Sequence, residues 1–411
     1  MKVAVISSGF LPVADGVTVS LYQRSRVLSR LGHQVLILCP DYEAIESVYP
    51  DWRSHQGEIL PGVRVVNLPS EPFMGVQFER NMSRRANKLL EQELEAFAPD
   101  VVHVDEPDRL FLGLLKAPGV AYAKRKNIPC VGFYHTNFID YIEDFLPLPS
   151  FMIRQVQWFS MLFIRPVFLA YDRILVSSSA AEQRLRNLKV TNVLRDRYLG
   201  VDTKAFQSQR KLSNFFQAEY GIQGINNRIK LIFLGRLTPD KGWPFALKAL
   251  DAWARQPENA ELVKQVAVVV AGDGELRAEI KARLQAAGLS VHLLGRVSPD
   301  AVPALLVNSD VHITASEKET LGLTILEAFA AGIPAIAPKA GGVVTHIQNG
   351  ENGLLFEPQD IKDFGRALSA LMVDEAVRLR LGANGRAAIA PYDWEQVVAN
   401  LINTWKTQIS L

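Results

Sequence analysis

Short aliphatic and β-branched runs alternate with longer segments of helical periodicity along the whole chain. The runs of the first half are KVAVIS, QVLILCP, VRVVNL, DVVHVD, PCVGFYH and RILVSSS; those of the second half are IKLIFLGR, VAVVVAGDG, VHLLGR, VHITAS and PAIAPK. Because the runs are continuous rather than strictly alternating, they predict strands that are covered on both faces, as in parallel sheets wrapped by helices. The pattern therefore predicts an α/β protein of doubly wound sheets.

A polar stretch without a strand pattern, residues 203–228, separates the two sets of runs and predicts a linker. We expect an N-terminal domain over 1–202 and a C-terminal domain over 229–391, since 411 residues exceed one ordinary core. In open α/β sheets, ligands bind beyond the carboxyl ends of the strands. Two such domains facing each other would place a ligand in a central cleft.

Composition narrows the class of protein. Hydrophobic residues make up 48% and charged residues 21%, which is typical of a globular chain. A net charge of +2 gives no support to nucleic-acid binding. Cys39 and Cys130 lie in apolar runs, as buried thiols of a reducing compartment would. The apolar stretch Phe151–Ala170 is interrupted by charges and a proline, so we expect it not to cross a bilayer and the chain to be cytoplasmic.

Basic residues follow the strand pattern IKLIFLG, where Arg236 comes directly after Gly235 and Lys241 precedes a helical stretch. A guanidinium fork and a nearby ammonium group at the end of a strand suit a diphosphate. The alternative is a pair of solvated charges.

Glycines follow the next two strands. Gly272 and Gly274 in VVVAGDGE permit close approach of a base or ribose, although a tight strand-to-helix turn needs the same residues. Gly295 and Val297 in HLLGRVSPD could present backbone amides to a base edge.

Two carboxylates flank the start of a predicted helix in SEKETLGLTILEAFAAG. Glu319 precedes the helix, and the amides of Leu321 and Gly322 at its N-terminus would favour an anion. Glu327 lies about two turns inside this apolar helix, where a carboxylate needs partners such as ribose hydroxyls. A surface residue or a structural ion pair is the alternative for Glu327.

Together these motifs resemble the retaining glycosyltransferases of family 4: two glutamates separated by seven residues, GRL and KG upstream, and AGIPAIAPKAGG with NGENGLLF downstream. That resemblance implies the GT-B fold, with two Rossmann-like domains facing a central cleft. LGVDTKAF resembles the interdomain junction, and YDWEQVVANLINTW resembles a closing helix, here 392–411, that packs back on the N-terminal domain.

The family's site residues map onto this chain one by one. The resemblance implies that Arg236 and Lys241 clamp the donor diphosphate, that Glu327 holds the ribose and that Glu319 holds the transferred sugar, with the amides of the following helix start on the phosphate. The donor is then a nucleotide sugar, a substrate rather than a cofactor, and the absence of an Asp-x-Asp motif predicts activity without a metal ion.

Two residues of the first half complete the set that the resemblance implies. Gly16 in GFLPVADGVTVSL corresponds to a glycine-rich loop over the donor, but this chain has Asp15 where many relatives have a second glycine. His135 in GFYHTNF matches a histidine beside the reacting sugar, although a lone histidine at a strand end is usually structural. We expect a front-face displacement, in which the leaving diphosphate helps to deprotonate the acceptor hydroxyl.

The acceptor is expected to be a membrane glycolipid. HVDEPDRLFLG and VGFYHTNFIDYIEDF are similar to segments of digalactosyldiacylglycerol synthases, which implies UDP-galactose, with UDP-glucose as the other donor, and monogalactosyldiacylglycerol as acceptor. The Phe151–Ala170 stretch would then lie on an anionic membrane surface, although composition alone favours a core helix. The alternatives are a family 4 transferase with a soluble sugar or saccharide acceptor, a non-catalytic nucleotide-sugar-binding regulator, and an epimerase of similar fold.

Overall fold

The chain forms two compact units in the computed structural model, which describes residues 1–13, 15–73, 76–135 and 150–410, with side chains except at 76–78, 150, 151, 153, 154 and 156–161. The first unit comprises Met1–Gly200 and Trp394–Leu411, and the second comprises Val201–Asp393. Each unit is built on a largely parallel sheet, as the continuous apolar runs predict.

The first unit contains an eight-stranded sheet in the order β10-β9-β8-β7-β1-β2-β4-β3, in which only β3 runs antiparallel to its neighbour, and a separate hairpin of β5 and β6. The strands are β1 (Lys2–Ile6), β2 (Gln34–Pro40), β3 (Gly57–Leu60), β4 (Val63–Leu68), β5 (Ser70–Phe73), β6 (Val76–Met82), β7 (Val101–Asp105), β8 (Cys130–Phe133), β9 (Arg173–Val176) and β10 (Val193–Arg195). The α-helices among the described residues before residue 200 are α1 (Gly16–Arg30), α2 (Ala86–Phe97), α3 (Pro107–Leu114), α4 (Val120–Lys126), α5 (Ser150–Leu169) and α6 (Ser179–Asn187).

The second unit contains a six-stranded, all-parallel sheet in the order β13-β12-β11-β14-β15-β16. The strands are β11 (Ile229–Leu234), β12 (Val266–Ala271), β13 (Ser290–Gly295), β14 (Val311–Ile313), β15 (Ala335–Pro338) and β16 (Gly353–Phe356). The helices are α7 (Thr203–Gln207), α8 (Phe215–Tyr220), α9 (Trp243–Ala254), α10 (Ala260–Gln265), α11 (Arg277–Ala286), α12 (Val302–Val307), α13 (Leu323–Ala331), α14 (Ile361–Val373) and α15 (Glu375–Ala388).

The segment 203–228 belongs to the second unit and is not a linker, so this part of the sequence prediction is corrected. It forms α7 and α8. Both helices are short, so the sequence pattern did not predict them. Phe206, Phe215 and Phe216 are buried, and Leu212 N donates to Asn308 Oδ1 at 2.6 Å. Aromatic burial therefore fixes a stretch that reads as polar.

The chain ends in helix α16 (Trp394–Ile409), which is part of the first unit. Its buried face is aliphatic and aromatic and packs against α1. Trp405 is 1% exposed, and its indole Nε1 donates to His103 Nδ1 at 3.3 Å. The last helix therefore covers the core beside β7.

Helix α5 has one face in the core of the first unit, where Ile164, Val167 and Phe168 are buried. Phe163 on the same helix is 80% exposed. Across the described ranges, no helix combines the length and apolar character that a membrane span requires.

Candidate active site

The second unit reverses its strand order between β11 and β14, and the loops after these two strands carry the predicted donor residues. Crossover helices on either side of such a reversal leave a crevice at the carboxyl ends of the strands. Arg236 and Lys241 follow β11, and Glu319 follows β14. The topology therefore places the loops of the two motifs side by side at the position where doubly wound sheets bind ligands.

Lys241 and Glu319 form the central contact of this site, with Lys241 Nζ 2.7 Å from Glu319 Oε1. Both side chains are about one quarter exposed, so solvent and a ligand can reach the pair. Burial alone would raise the pKa of the Glu319 carboxyl, but the Lys241 ammonium outweighs it and lowers that pKa. Glu319 is therefore a carboxylate at neutral pH and can accept hydrogen bonds.

Two glycine contacts hold these loops in place. Gly242 has φ +75°, and a Cβ there would lie 2.1 Å from Ala315 O, at the end of β14. A Cβ at Gly342 would lie 2.0 Å from Thr320 O, and the Gly342 amide donates to Glu319 O at 2.6 Å. Only glycine permits these approaches, so the backbone brings Lys241 and Glu319 together.

Arg236 lies outside this ion pair. Its guanidinium Nη2 is 3.0 Å from Asp240 Oδ2, and its side chain is 59% exposed. Trp243 Nε1 donates to Arg236 O at 3.3 Å, which fixes the backbone rather than the side chain. Arg236 is therefore near Lys241 in sequence and accessible, but its predicted phosphate contact stays a prediction.

The glycines of the predicted base and ribose pocket pack against the loop that carries Arg236. A Cβ at Gly272 would lie 1.8 Å from Gly235 O, and one at Gly274 would lie 2.6 Å from Leu237 O. Gly272 also donates to Gly295 O at 2.8 Å, which joins the ends of β12 and β13. These contacts account for the glycines structurally, and contact of Gly272, Gly274, Gly295 or the partly buried Val297 with a base stays a prediction.

Helix α13 begins at Leu323, with Gly322 as its N-cap at φ +83°. Leu321 is 3% exposed and Ile325 N donates to Gly322 O at 3.0 Å, so the first turn is well fixed. The leading amides of an α-helix have no intrahelical acceptor and carry partial positive charge. They can bind an anion next to the Lys241–Glu319 pair.

Glu327 lies on α13 between buried neighbours such as Leu326 and Ala328. Burial raises the pKa of its carboxyl to about 7. Among the described residues, neither a hydrogen-bond donor nor a cation lies against this carboxylate. A half-buried acid of this kind lacks the partners that stabilise its charged form, and ligand hydroxyls would supply them.

In the first unit, His135 lies two residues after the end of β8 and is 6% exposed. Its Nε2 lies 2.9 Å from Asp105 Oδ1, and its ring lies on Phe133 with centroids 3.8 Å apart. The residues that follow, 136–149, include most of the VGFYHTNFIDYIEDF segment and lie outside the described part of the chain. The predicted active-site role of His135 is consistent with a strand-end position and stays a prediction.

Gly16 is the first residue of α1, and Asp15 is its N-cap. The Asp15 carboxylate accepts a hydrogen bond from Thr18 N at 2.8 Å. This cap explains why an aspartate can stand where a second glycine was expected, because it satisfies one of the free amides of the first turn. Contact of Gly16 with the donor stays a prediction.

Sequence reasoning missed a buried polar cluster around His135. Arg24, His103 and Asp105 are at most 2% exposed, and Arg24 Nη2 lies 2.6 Å from Asp105 Oδ2. A signal was present, since Arg24 stands on the apolar face of α1 at helical spacing from Leu21 and Leu28. A charge at such a position is expected to have a buried partner.

Among the described side chains, no group of three His, Cys, Asp or Glu residues is arranged so that it could hold a metal ion. Activity without a divalent cation stays a prediction, to be tested with a chelator.

Two family models match consecutive parts of the chain. Residues 14–205 match the model "Glycosyltransferase Family 4", and residues 217–388 match "Glycosyl transferases group 1". The first match falls on the unit that carries His135, and the second covers the Lys241–Glu319 site.

Several characterised proteins are similar along most of their length. The sulfoquinovosyl transferase SQD2 of Arabidopsis thaliana is 26% identical over 92% of this chain and 68% of its own. A GDP-mannose-dependent alpha-mannosyltransferase of Mycolicibacterium smegmatis is 28% identical over 99% of this chain and 97% of its own. The alpha-monoglucosyldiacylglycerol synthase of Streptococcus pneumoniae is 26% identical over 82% of this chain and 71% of its own.

Solved structures match the fold. Sucrose-phosphate synthase from Thermosynechococcus elongatus superposes with a TM-score of 0.74 at 18% identity, over 100% of this chain and 99% of the other. Anabaena HepE in complex with UDP-glucose gives a TM-score of 0.72 at 17% identity, over 99% of this chain and 100% of the other. With two Rossmann-like units, consecutive matches to both family models and relatives along nearly its whole length, this chain belongs to the family 4 glycosyltransferases of GT-B fold.

Proposed function

We propose that this protein is a retaining hexosyltransferase, which moves a hexose from a nucleotide sugar to an acceptor hydroxyl. The observation that carries the proposal is the Lys241–Glu319 pair at 2.7 Å, beside the N-terminus of α13. A cation, a carboxylate and free helix amides suit a sugar diphosphate, because the phosphates need positive partners and the sugar hydroxyls need acceptors.

In the proposed reaction, negative charge builds on the leaving diphosphate as the bond to the sugar breaks. Lys241 and the first amides of α13 stabilise this charge, and Arg236 can swing to it because its guanidinium is exposed. Glu319 orients the sugar through its hydroxyls. The anomeric configuration of the sugar is retained if the acceptor hydroxyl attacks from the face that the diphosphate leaves. The departing phosphate oxygen then takes the proton of that hydroxyl.

Glu327 is assigned to the ribose of the donor. Its carboxylate has a pKa raised to about 7 by burial and lacks a protein partner among the described residues. Two ribose hydroxyls would donate to its two oxygens, so donor binding should favour the charged form.

For the donor and acceptor, we propose UDP-galactose or UDP-glucose and a membrane glycolipid, with monogalactosyldiacylglycerol converted to digalactosyldiacylglycerol as the best candidate. The name of the Streptococcus pneumoniae relative, a monoglucosyldiacylglycerol synthase, supports a lipid acceptor. The mannosyltransferase relative supports a second candidate, a GDP-mannose-dependent transferase; its acceptor could be a soluble sugar or saccharide.

The exposed apolar side chains of α5 support a membrane contact. Phe163 is 80% exposed, Leu162 44% and Met152 39%, while Arg165 on the same helix is partly exposed. Aromatic and aliphatic side chains beside arginine suit the interface of an anionic bilayer. The opposite face of α5 lies in the core, so the helix would lie on the membrane as part of the folded unit.

A non-catalytic regulator is the alternative from another class. Such a protein would have no need to keep a lysine and a carboxylate paired at the switch point of the sheet. The presence of Arg236, Lys241 and Glu319 therefore favours the enzyme.

The experiment that tests the function uses a panel of UDP- and GDP-sugars with lipid extracts and with soluble sugars as acceptors, followed by mass spectrometry of both product phases. We expect one hexose to be added to a glycolipid, with or without chelator. A product confined to the aqueous phase would establish the second candidate, and the absence of any product would leave the regulator.

Flotation with liposomes tests the membrane contact separately. We expect the protein to float with vesicles that contain anionic lipid, and Phe163→Ser to reduce the floating fraction. Leu379→Ser is the matched control, because Leu379 is a 65% exposed aliphatic residue of the second unit. Equal flotation of both variants, or none of the wild type at low salt, would refute the contact.

A further inference from the structure

Asp105 is the hub of the buried cluster in the first unit. It is the last residue of β7, is fully buried and accepts from three side chains. Arg24 Nη2 lies 2.6 Å from its Oδ2, and its Oδ1 lies 3.1 Å from His103 Nε2 and 2.9 Å from His135 Nε2. These residues come from α1, β7 and the end of β8, so the contacts exist only in the folded unit.

Trp405 determines the tautomer of His103. An indole Nε1–H can only donate, so His103 Nδ1, at 3.3 Å, must accept. The His103 proton is then on Nε2, where it faces Asp105 Oδ1. Arg24 Nη1 lies 3.0 Å from the same Nε2; since both groups then carry hydrogens, this is a contact between two donors and not a hydrogen bond, and Arg24 instead donates to Asp105 through Nη2. Burial lowers the pKa of His103, in agreement with a neutral ring.

The charges within the cluster cancel. Burial would raise the pKa of Asp105, but Arg24 and then His135 outweigh it and hold that pKa well below its usual range. Asp105 is therefore a carboxylate with no proton to give, and both histidines must donate to it. His135 Nε2 lies 2.9 Å from Asp105 Oδ1, and because a carboxylate can only accept, this contact places a His135 proton on Nε2.

We propose that Asp105 is a positioning residue that fixes the orientation and tautomer of His135, so that His135 Nδ1 accepts a hydrogen bond from a sugar hydroxyl group of the substrate. The assignment rests on the proposed transferase function. Phe133 restricts the same ring from its face, with centroids 3.8 Å apart. The C-terminal helix contributes through Trp405, which holds His103 in the form that donates to Asp105.

The direct test is nuclear magnetic resonance of the full chain with ¹⁵N-labelled histidine, which reports where each ring carries its proton. The chain has seven histidines, so single His→Gln variants assign the signals. We expect His103 and His135 to be neutral with the proton on Nε2. A His135 ring that is protonated on Nδ1 at neutral pH, alone or with Nε2, would overturn the proposal.

Asp105→Asn tests the consequence for the reaction. The amide can donate to His135 Nε2, so we expect a shift to the Nδ1–H tautomer and a fall of about 10- to 100-fold in kcat/KM, as for a lost or mismatched hydrogen bond. Affinity for UDP should change little, because Lys241 and Glu327, which are assigned to its diphosphate and ribose, lie in the second unit. Unchanged tautomer and unchanged kcat/KM would refute the assignment.

Two further variants separate positioning from folding. Arg24→Met combined with Asp105→Asn removes both buried charges at similar volume, which avoids an unpaired guanidinium if the single variant does not fold. Trp405→Phe removes the indole donor and keeps an aromatic ring; we expect His103 to lose its single tautomer and kcat/KM to fall less than in Asp105→Asn, because the Asp105–His135 contact is kept. If no sugar transfer is found even for the wild type, the proposed function is wrong. The tautomer of His135 still tests whether Asp105 positions the ring.

Discussion

Lys241 and Glu319 illustrate how a single ion pair can serve both a fold and a reaction. In the structure each neutralises the other, and the pair is accessible enough for a ligand to enter. A bound sugar diphosphate would let Lys241 turn to phosphate while Glu319 accepts from the sugar. The pair therefore keeps two charged groups ready without leaving either one unpaired in a partly buried place.

Lys241→Ala should lower kcat by about 10²- to 10³-fold, the usual effect of losing one donor to transition-state charge. Acceptor KM should change little, because Lys241 is assigned to the leaving group. Lys264→Ala serves as control, since Lys264 is an exposed lysine of the same unit that pairs with Glu261. Steady-state kinetics with the best donor of the panel measure this effect. An unchanged kcat for Lys241→Ala would contradict the assignment of Lys241 to the leaving diphosphate.

Glu327 should make stability depend on pH. Its pKa is raised from 4.5 to about 7 in the folded protein, so the folded state holds a proton that the unfolded state releases. This contribution is fully present below pH 4.5 and is lost as pH rises through about 7. The side chain is only half-buried, so we expect a moderate effect. The free energy of unfolding of Glu327→Gln minus that of the wild type should be larger at pH 8 than at pH 4.5 by on the order of 1–3 kcal/mol.

Urea unfolding of both proteins at the two pH values measures this difference. Saturating UDP should raise the free energy of unfolding of the wild type more than that of the variant at pH 8, because ribose hydroxyls bond more strongly to a carboxylate than to a neutral amide. A difference between the two proteins that does not vary with pH would show that Glu327 is not the buried acid described here.

The loops after β11 and β14 form the site, and they can pack closely because glycines lie at their contacts. Gly242 and Gly288 both have positive φ, +75° and +81°, but only Gly242 faces a neighbour, Ala315 O, within 4 Å of a built Cβ. An alanine at either position would strain the backbone, but only an alanine at Gly242 would also disturb the packing of the loop.

Gly242→Ala should displace Lys241 from Glu319 and cost far more activity than Gly288→Ala. Each alanine costs about 1–2 kcal/mol for a left-handed conformation, and only Gly242→Ala adds a clash. Thermal unfolding and kcat/KM of the two variants provide the comparison. Equal losses would mean that the contact of the loop with β14 does not position Lys241.

The central strands were predictable because β1, β2, β7, β11 and β12 are continuous apolar runs covered on both faces. The sheet-edge strands β3, β10 and β16 and the hairpin strands β5 and β6 were not, since strands at an edge or in a hairpin are less completely covered and carry shorter apolar runs. In the candidate site, the residues after the strands, such as Lys241 and Glu319, were predictable from sequence motifs. The Arg24–Asp105 pair was not, because its partners are 81 positions apart and nothing local specifies their meeting.

At the scale of the whole molecule, the chain leaves the first unit at Gly200 and returns to it at Trp394. The returning helix α16 buries Val397, Leu401 and Trp405 in the first unit. The first unit therefore depends on the last residues of the chain, whereas the second unit is one continuous segment.

Removal of residues 394–411 should destabilise the first unit alone. Loss of the buried face of α16 exposes aliphatic and aromatic surface and removes the Trp405 donor, at a cost of several kcal/mol. Hydrogen exchange should show lost amide protection in β1 and β7 with β11 and β12 unchanged. A chain ending at Thr407 is the control; loss of protection in both units, or in neither, would contradict the division.

We propose that the switch point of the second sheet, between β11 and β14, binds the diphosphate of a nucleotide sugar. A crystal structure with UDP, or with the UDP-sugar that the panel identifies, tests it most directly. We expect phosphate oxygens to bind Lys241 Nζ and the first amides of α13, and ribose hydroxyls to bind Glu327. A nucleotide bound away from β11 and β14, with the Lys241–Glu319 pair untouched, would contradict it.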